Sequence, residues 1–185
     1  MKKTSKKIKI DQQEIVINQY KYNEDDQEFD YENYVAIQKE GNKRKIASQW
    51  VHKHTIKILS EYILTLMQPN FGICHGTRRG GEQLAFREYL SCEVIGTEIS
   101  DTASQFPYTI QWDFHEIKPE WLNAVDFIYS NSWDHSYDPD LLFRAWMSCV
   151  RTNGIMILEH SSAQEDVSQL DPLGMSLNSL LGLTH

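Results

Sequence analysis

From residue 70 onward, short apolar segments of strand length alternate with longer segments whose apolar residues recur at helical spacing. A helix that follows a strand carries the chain back to the edge it left, so the next strand pairs parallel to the first. Repeated units of this kind build an open, doubly wound α/β sheet covered by helices on both faces. Strands are expected at residues 70–74, 93–97, 108–111, 125–129 and 154–159, with helices in most of the gaps. The clearest helices are 81–90 and 140–151, the second carrying Leu141, Leu142, Ala145, Trp146 and Val150 at helical spacing, and a last helix is expected at 172–181. Ahead of the sheet, Ile46, Trp50, His54, Ile58, Tyr62 and Leu66 recur every four residues. That stripe predicts an amphipathic helix over 45–67, stopped by Pro69.

The first 44 residues read differently. Residues 8–18 hold two alternating apolar runs, Ile8/Ile10 and Ile15/Ile17, the pattern of a short hairpin or a loosely ordered strand. Residues 21–44 are acidic, polar and rich in tyrosine, the least core-like part, with a short helix expected over 31–39 before Gly41. The expected division is therefore an extension, 1–44, that forms a hairpin and part of a lid, and a main domain, 45–185. A chain of 185 residues suits one compact domain able to bury a core without covalent staples.

Charge narrows the partners. At a net charge of −8 and a pI near 5.3, the chain is unsuited to nucleic acid or to an anionic membrane surface, and small-molecule or protein partners fit better. Lys2, Lys3, Lys6, Lys7 and Lys9 form a basic start, but residues 10–14 lack the apolar stretch of an export signal, which points to a cytoplasmic protein. No apolar run is long enough to span a bilayer, since residues 62–67 are bounded by Glu61 and Pro69. Cys74, Cys92 and Cys149 lie far apart with no Cys-x-x-Cys pair, as expected of buried thiols.

The chemistry-bearing segment is FGICHGTRRGGEQ, residues 71–83, where a strand runs into a loop with Gly76, Gly80 and Gly81 and then opens a helix. Glycine in such a turn lets backbone N–H groups approach a ligand closely. Glu98 follows 22 residues after Gly76 at the end of the next strand, where a carboxylate can accept both ribose hydroxyls of a nucleoside. Asp113 and Phe114 follow the third strand, an acid able to accept from an adenine amino group beside an aromatic able to pack on the base. All three elements fall where open α/β sheets bind ligands, and together they favour an adenosine ligand. The spacing Gly76-Thr77-Arg78-Arg79-Gly80-Gly81 is neither the G-x-G-x-x-G of dinucleotide sites nor the P-loop of NTPases.

With these motifs the chain resembles the class I S-adenosylmethionine (SAM)-dependent methyltransferases over residue 45 to the end. The resemblance implies a Rossmann-like, mainly parallel sheet of strand order 3-2-1-4-5, with the family's terminal strands 6 and 7 missing. Either the chain is truncated or short, or another segment or a second subunit, as in a homodimer, covers the exposed edge. Position by position, Gly76, Thr77, Gly80 and Gly81 would face the methionine moiety, Glu98 with Ile99 beside it the ribose, Asp113 and Phe114 the adenine, and Asn131 and Ser132 the sulfonium. One position departs from the family: where many members carry an acid just before the glycine loop, this chain has Cys74.

Methyl-acceptor chemistry is expected after the fourth strand, where His135, paired with Asp134 or a nearby carboxylate, would take the proton that an oxygen or nitrogen acceptor loses. The alternative is that Asp134 caps a turn and His135 only lines the pocket. Glu159 and His160 lack compact ligand spacing with Asp134 and His135, so no metal is expected. Arg78 and Arg79 read as solvated loop charges or as a steering pair for an anionic acceptor. The implied activity is methyl transfer from SAM to a small-molecule or protein acceptor. The rivals are a non-catalytic SAM- or nucleoside-binding module and, disfavoured by the loop spacing, a nicotinamide-dependent oxidoreductase.

Overall fold

The computed structural model describes residues 3–10, 12–22 and 29–184. Lys2 of the basic cluster and residues 23–28 of the acidic stretch lie outside the described residues. In chain order the elements are β1 (Lys3–Ile10), β2 (Gln13–Tyr20), α1 (Tyr31–Arg44), α2 (Lys53–Leu66), β3 (Phe71–His75), α3 (Gly81–Leu90), β4 (Glu93–Glu98), β5 (Thr109–Gln111), β6 (Val125–Ser130), α4 (Pro139–Cys149), β7 (Val150–Leu158), β8 (Leu173–Gly174) and α5 (Leu177–Thr184).

Five strands pair in the order β5-β4-β3-β6-β7, all parallel, which is the expected 3-2-1-4-5 arrangement. Successive side chains of a strand point to opposite faces, so each inner strand feeds two cores. On one face Ile73 and Ile128 pack with Leu142, Phe143 and Trp146 of α4 and with Ile15 and Ile17 of β2. On the other, Cys74, Phe127 and Tyr129 pack with Ile56 and Ile63 of α2 and with Phe86 and Leu90 of α3. Strand β6 is buried at every position, as a central parallel strand covered on both faces must be.

The hairpin expected near residues 8–18 is real and longer: β1 pairs antiparallel with β2 along its whole length. It joins a second, three-stranded sheet in which β2 also pairs with β8, through Asn18 to Gly174 and Gln19 to Leu173. Helix α5 lies against this sheet, with Val16 N–H donating to Ser179 Oγ (3.1 Å) and Gln13 Nε2 to the Asn178 carbonyl (2.9 Å). The expected helix over 172–181 is thereby shifted to start at Leu177, because Leu173 and Gly174 are taken up as a strand.

Two helix expectations need correction. The helix expected over 45–67 spans only Lys53–Leu66, and the four-residue stripe faces solvent: Trp50 is 64% exposed, Ile58 51%, Tyr62 57% and Leu66 51%. Helix α2 carries a second series at helical spacing, Ile56, Leu59 and Ile63, and it is this one that packs against the sheet. Helix α1 runs to Arg44, past the Gly41 that was expected to end it. A Cβ on Gly41 would stand 2.3 Å from Leu170 Cδ2, so the glycine serves close approach of a distant loop and not termination.

Helix α4 starts at Pro139, one residue before the expected 140, with Asp138 accepting from Leu141 N–H (3.0 Å) as its N-cap and proline at the first turn. At the amino-terminal end of the sheet, the buried Asp126 of β6 accepts from Asn70 N–H (2.7 Å), Phe71 N–H (2.8 Å) and Arg151 Nε, tying the starts of β3, β6 and β7 together. Burial works to raise this carboxyl group, but the hydrogen bonds from Phe71 and Asn70 and the Arg151 guanidinium outweigh it and hold it below its ordinary range. A carboxylate lowered in this way contributes stability above its unfolded pKa of about 4 and loses it as pH falls through the folded value. Asp126→Asn is expected to lower the unfolding free energy by about 2–4 kcal/mol near neutral pH. Urea titrations at a series of pH values should also show a flatter acid limb in the variant, and an acid limb identical to wild type would exclude this role.

Candidate functional site

The turn after β3 is built by two backbone hydrogen bonds across to the neighbouring strand. Gly76 N–H (2.9 Å) and Thr77 N–H (3.1 Å) both donate to the Thr97 carbonyl. The chain reaches this geometry with φ of +74° at Gly76, and a Cβ there would stand 2.7 Å from Ser132 Cβ, so the position demands glycine on both counts. The turn then presents Arg78 N–H to Glu98 Oε2 (3.0 Å), while Ser100 N–H donates to Glu98 Oε1 (2.9 Å). Burial raises the Glu98 carboxyl pKa, against the pull of these N–H groups and of His135 and Arg78.

Glu98 opens onto a cleft at the carboxyl edge of the sheet, about 590 Å³ with its open mouth included. Of the residues singled out in the sequence, Gly76, Glu98, Ile99, Phe114, Ser132 and His135 line it. Thr77 and Asn131 line a smaller cavity of about 290 Å³ that shares Gly76, Arg78 and Ser132 with the first. Gly80, Gly81, Asp113 and Asp134 line neither. Gly80 caps α3 in the left-handed conformation and Gly81 begins that helix, so both serve the turn.

The sequence suggests a lid from the first 44 residues but does not single out the side chains that line the cavity from that segment. Tyr34, Gln38, Asn42 and Lys45 project from α1 and its end over the large cavity, joined by Leu170. Their spacing, every three or four residues, was the available signal; it was hidden in a stretch that reads as polar and acidic. Tyr34 is 1% exposed and donates from its hydroxyl to the His135 carbonyl (3.0 Å). Trp112 also lines the cavity, one position before the acid-aromatic pair Asp113-Phe114.

His135 meets Gln38 Oε1 through Nδ1 (2.9 Å) and Asp171 Oδ1 through Nε2 (3.3 Å). The carboxylate beside it is therefore Asp171, not Asp134. Asp134 is buried with Oδ1 unpartnered, and burial raises its pKa. Asp113 is equally committed: Oδ1 accepts from His115 N–H (2.9 Å) and from His115 Nδ1 (2.7 Å), and Oδ2 accepts from the Tyr31 hydroxyl (2.7 Å). His115 Nε2 meets Ser136 Oγ (2.8 Å), which also accepts from Asp138 N–H (3.1 Å). This acid–histidine–serine series has the order of a hydrolytic triad, but Ser136 is 0% exposed, so no substrate reaches its hydroxyl. Close by, burial pushes His75 down to about 3, and the neutral ring stacks on Trp146 at 4.6 Å.

Among the described residues, no group of three or more His, Cys, Asp or Glu side chains is placed to hold a metal ion. Glu159 instead accepts from the Tyr129 hydroxyl (2.7 Å), and His160 Nε2 meets the Met175 carbonyl (2.9 Å). Among the same residues, no helix is long and apolar enough to cross a membrane.

No protein-family model and no curated protein sequence matches the chain. Solved structures do. The 1,6-didemethyltoxoflavin-N1-methyltransferase of Burkholderia thailandensis, solved with 1,6-didemethyltoxoflavin and S-adenosylhomocysteine, matches with a TM-score of 0.57 at 15% identity, over 91% of this chain and 80% of that one. A protein of Methanococcus maripaludis assigned as a SAM-dependent methyltransferase matches with a TM-score of 0.53 at 17% identity, over 77% of this chain and 69% of that one. The geranyl diphosphate C-methyltransferase of Streptomyces coelicolor gives a TM-score of 0.46 at 15% identity over 55% of this chain, which spans 44% of that protein's length. The fold is that of the class I SAM-dependent methyltransferases.

Because the turn depends on Gly76, Gly76→Ala should cost about 1–3 kcal/mol from the positive φ and the contact with Ser132. Chemical denaturation measures this, and a variant as stable as wild type would show that the turn has another conformation.

Proposed function

We propose that the chain binds SAM at the carboxyl edge of its parallel sheet and transfers the methyl group to a small-molecule acceptor held under α1. The observation that carries this reading is Glu98. Its carboxylate ends β4 beside the glycine turn and lines the large cavity, and one backbone N–H fixes each of its oxygens. Each oxygen keeps acceptor capacity, so the pair suits the two vicinal hydroxyls of a ribose. The fit extends to Gly76, where the missing side chain leaves room between the turn and Ser132, and to Ile99 and Phe114, apolar walls for an adenine ring. Asp113 has no part in this assignment, since its oxygens hold Tyr31 and His115.

Bound SAM supplies a methyl group on a positively charged sulfonium. The chain's own contribution is to hold the acceptor in line with that methyl and to keep water out, for which Tyr34, Leu170 and Ser132 in the cavity lining are available. In this reading residues 1–44 form an extension whose helix roofs a binding domain at 45–185. His135 lines the cavity with Nδ1 on Gln38 and Nε2 on Asp171, so in this reading it takes a proton from an oxygen or nitrogen acceptor after one ring nitrogen exchanges its partner for the acceptor. A small acceptor is favoured by the enclosure, and the structurally similar N1-methyltransferase of Burkholderia thailandensis holds a small molecule, 1,6-didemethyltoxoflavin.

Calorimetry with S-adenosylhomocysteine tests the binding half. Wild type should bind, and Glu98→Ala should weaken binding about a hundredfold through loss of two charge-assisted hydrogen bonds. No heat at millimolar ligand would end the proposal. For the catalytic half, methyl-labelled SAM is incubated with fractions of a small-molecule extract. His135→Ala should keep cofactor affinity while label transfer falls about 10²- to 10⁴-fold, and transfer at the wild-type rate would remove His135 from the mechanism.

A further inference from the structure

An open sheet edge offers unpaired N–H and C=O groups to any further strand, and folded chains guard such edges with lysine or with very short strands. Three of the edges described above are guarded in this way. β1 carries Lys3, Lys6, Lys7 and Lys9, β8 has two residues and β5 has three. β7 is different. It is nine residues long, pairs among the described strands with β6 alone, and ends in an unbroken apolar run, Ile155 to Leu158, that is only partly buried.

One hydrogen bond shows which backbone groups of β7 are free. Glu159 N–H donates to the Ser130 carbonyl of β6 (3.0 Å), so by alternation along the strand the N–H and C=O groups of Gly154, Met156 and Leu158 point away from β6. Side chains alternate too: Ile155 and Ile157 pack partly against the core under α2, Met156 and Leu158 against the core under α4. The apolar surface continues onto α2. Lys53 pairs with Glu88 of α3, which marks the flank of α2 that α3 covers, and Leu59, Tyr62 and Leu66 lie on the opposite flank. Because α3 joins β3 to β4, that opposite flank is turned toward β6 and β7. There Tyr62 is 57% and Leu66 51% exposed, large apolar side chains beside an unguarded edge.

We infer that β7 is the docking edge for a second copy of this chain, whose own β7 pairs with it antiparallel about a two-fold axis at Met156. The occupant follows from self-complementarity. In this register the free groups of Gly154, Met156 and Leu158 meet those of Leu158, Met156 and Gly154 of the partner subunit, about six hydrogen bonds across the seam. A typical interface holds about ten. Ile155 stands opposite Ile157 of the partner subunit on one face, and Met156 stands opposite its equivalent on the other. Glu159, the charged residue next to the apolar run, faces Asn153 of the partner subunit and not a second carboxylate. The axis passes through the sheet, so both α2 helices stay on one face and their Leu59, Tyr62 and Leu66 flanks close over the seam. This inference is independent of the SAM reading.

Sedimentation equilibrium at micromolar concentration should give twice the chain mass of 21.6 kDa. Leu66→Lys, at a position half-exposed in the single chain, should leave its circular dichroism unchanged and weaken association about tenfold or more. The register is read with single cysteines in a Cys92→Ser background, since Cys74 and Cys149 are buried. Met156→Cys is expected to give a disulfide-linked dimer on mild oxidation, because residues directly opposite in such a pair have Cα atoms about 5.5 Å apart, within disulfide reach. Asn153→Cys is expected to give none, its two copies lying about 20 Å apart. If Met156→Cys does not fold, the wild-type mass and the Leu66→Lys comparison decide. A wild-type chain that sediments as a monomer overturns the inference. So does a Leu66→Lys variant that associates as wild type does, or a folded Met156→Cys that cross-links no better than Asn153→Cys.

Discussion

The carboxyl edge of the sheet is organised by one carbonyl, that of Thr97, which accepts from both Gly76 N–H and Thr77 N–H. Parallel pairing aligns His75 with Thr97, and these two bonds carry the alignment one step past the end of β3. The chain must then turn away through positive φ at Gly76 and, two residues later, at Arg78 (44°). That turn aims Arg78 N–H at Glu98, which ends the adjacent strand. A parallel sheet leaves the amides at its strand ends unpaired, and here they converge on one carboxylate. Both cavities adjoin this point, so the site is a consequence of strand register as much as of loop sequence.

How much of this the amino-acid sequence discloses depends on how local the cause is. The strands β3, β4 and β6 are legible because a strand buried on both faces reads as a continuous apolar run bounded by polar residues. The glycine turn and Glu98 are legible for the same reason, since each is defined by its own strand end. Helix α2 is not, because two apolar series share it and only the sheet decides which is buried: Ile56 and Ile63 at 1% and 0% exposure, not Ile58 and Tyr62. Gly41 looks like a helix stop until Leu170, far along the chain, is seen to need the space. Asp113 illustrates the limit at the site itself. Its position after the third strand is local, but its oxygens are taken by His115 two residues on and by Tyr31 from far along the chain.

The roof shows why a polar stretch can still be core. Tyr22, Phe29, Tyr31, Tyr34 and Tyr137 make a chain of edge-on and stacked ring contacts, the closest being Phe29 on Tyr137 at 4.4 Å. Tyrosine buries a large apolar surface while its hydroxyl finds a partner at the rim, so it packs where aliphatic side chains would leave backbone carbonyls unsatisfied. Tyr22 donates to the Gln169 carbonyl (2.9 Å) and Tyr34 to that of His135. Asp30 and Glu32 between them are exposed and keep the outer face solvated, and such a composition makes the segment look unlike core.

The buried Asp113–His115–Ser136 series then has a structural purpose that its resemblance to a triad conceals. It spans the loop after β5 and the loop before α4, and its acid end is the anchor for Tyr31 at the start of α1. Burial raises the Asp113 carboxyl group, but the hydrogen bonds and charge of His115, with the Tyr31 hydroxyl, bring it below its ordinary value, so the anchor stays ionised. An ionised acceptor grips a hydroxyl about twice as strongly as a neutral one. The helix is thus tied at its first turn by Tyr31 to the loop after β5, and at its middle by Gln38, which donates to the Leu170 carbonyl (2.9 Å) in the loop before β8. The large cavity lies along this helix, lined by Tyr34, Gln38, Asn42 and Lys45, so the two ties that seat the helix also fix one wall of the cavity against Glu98 on the other.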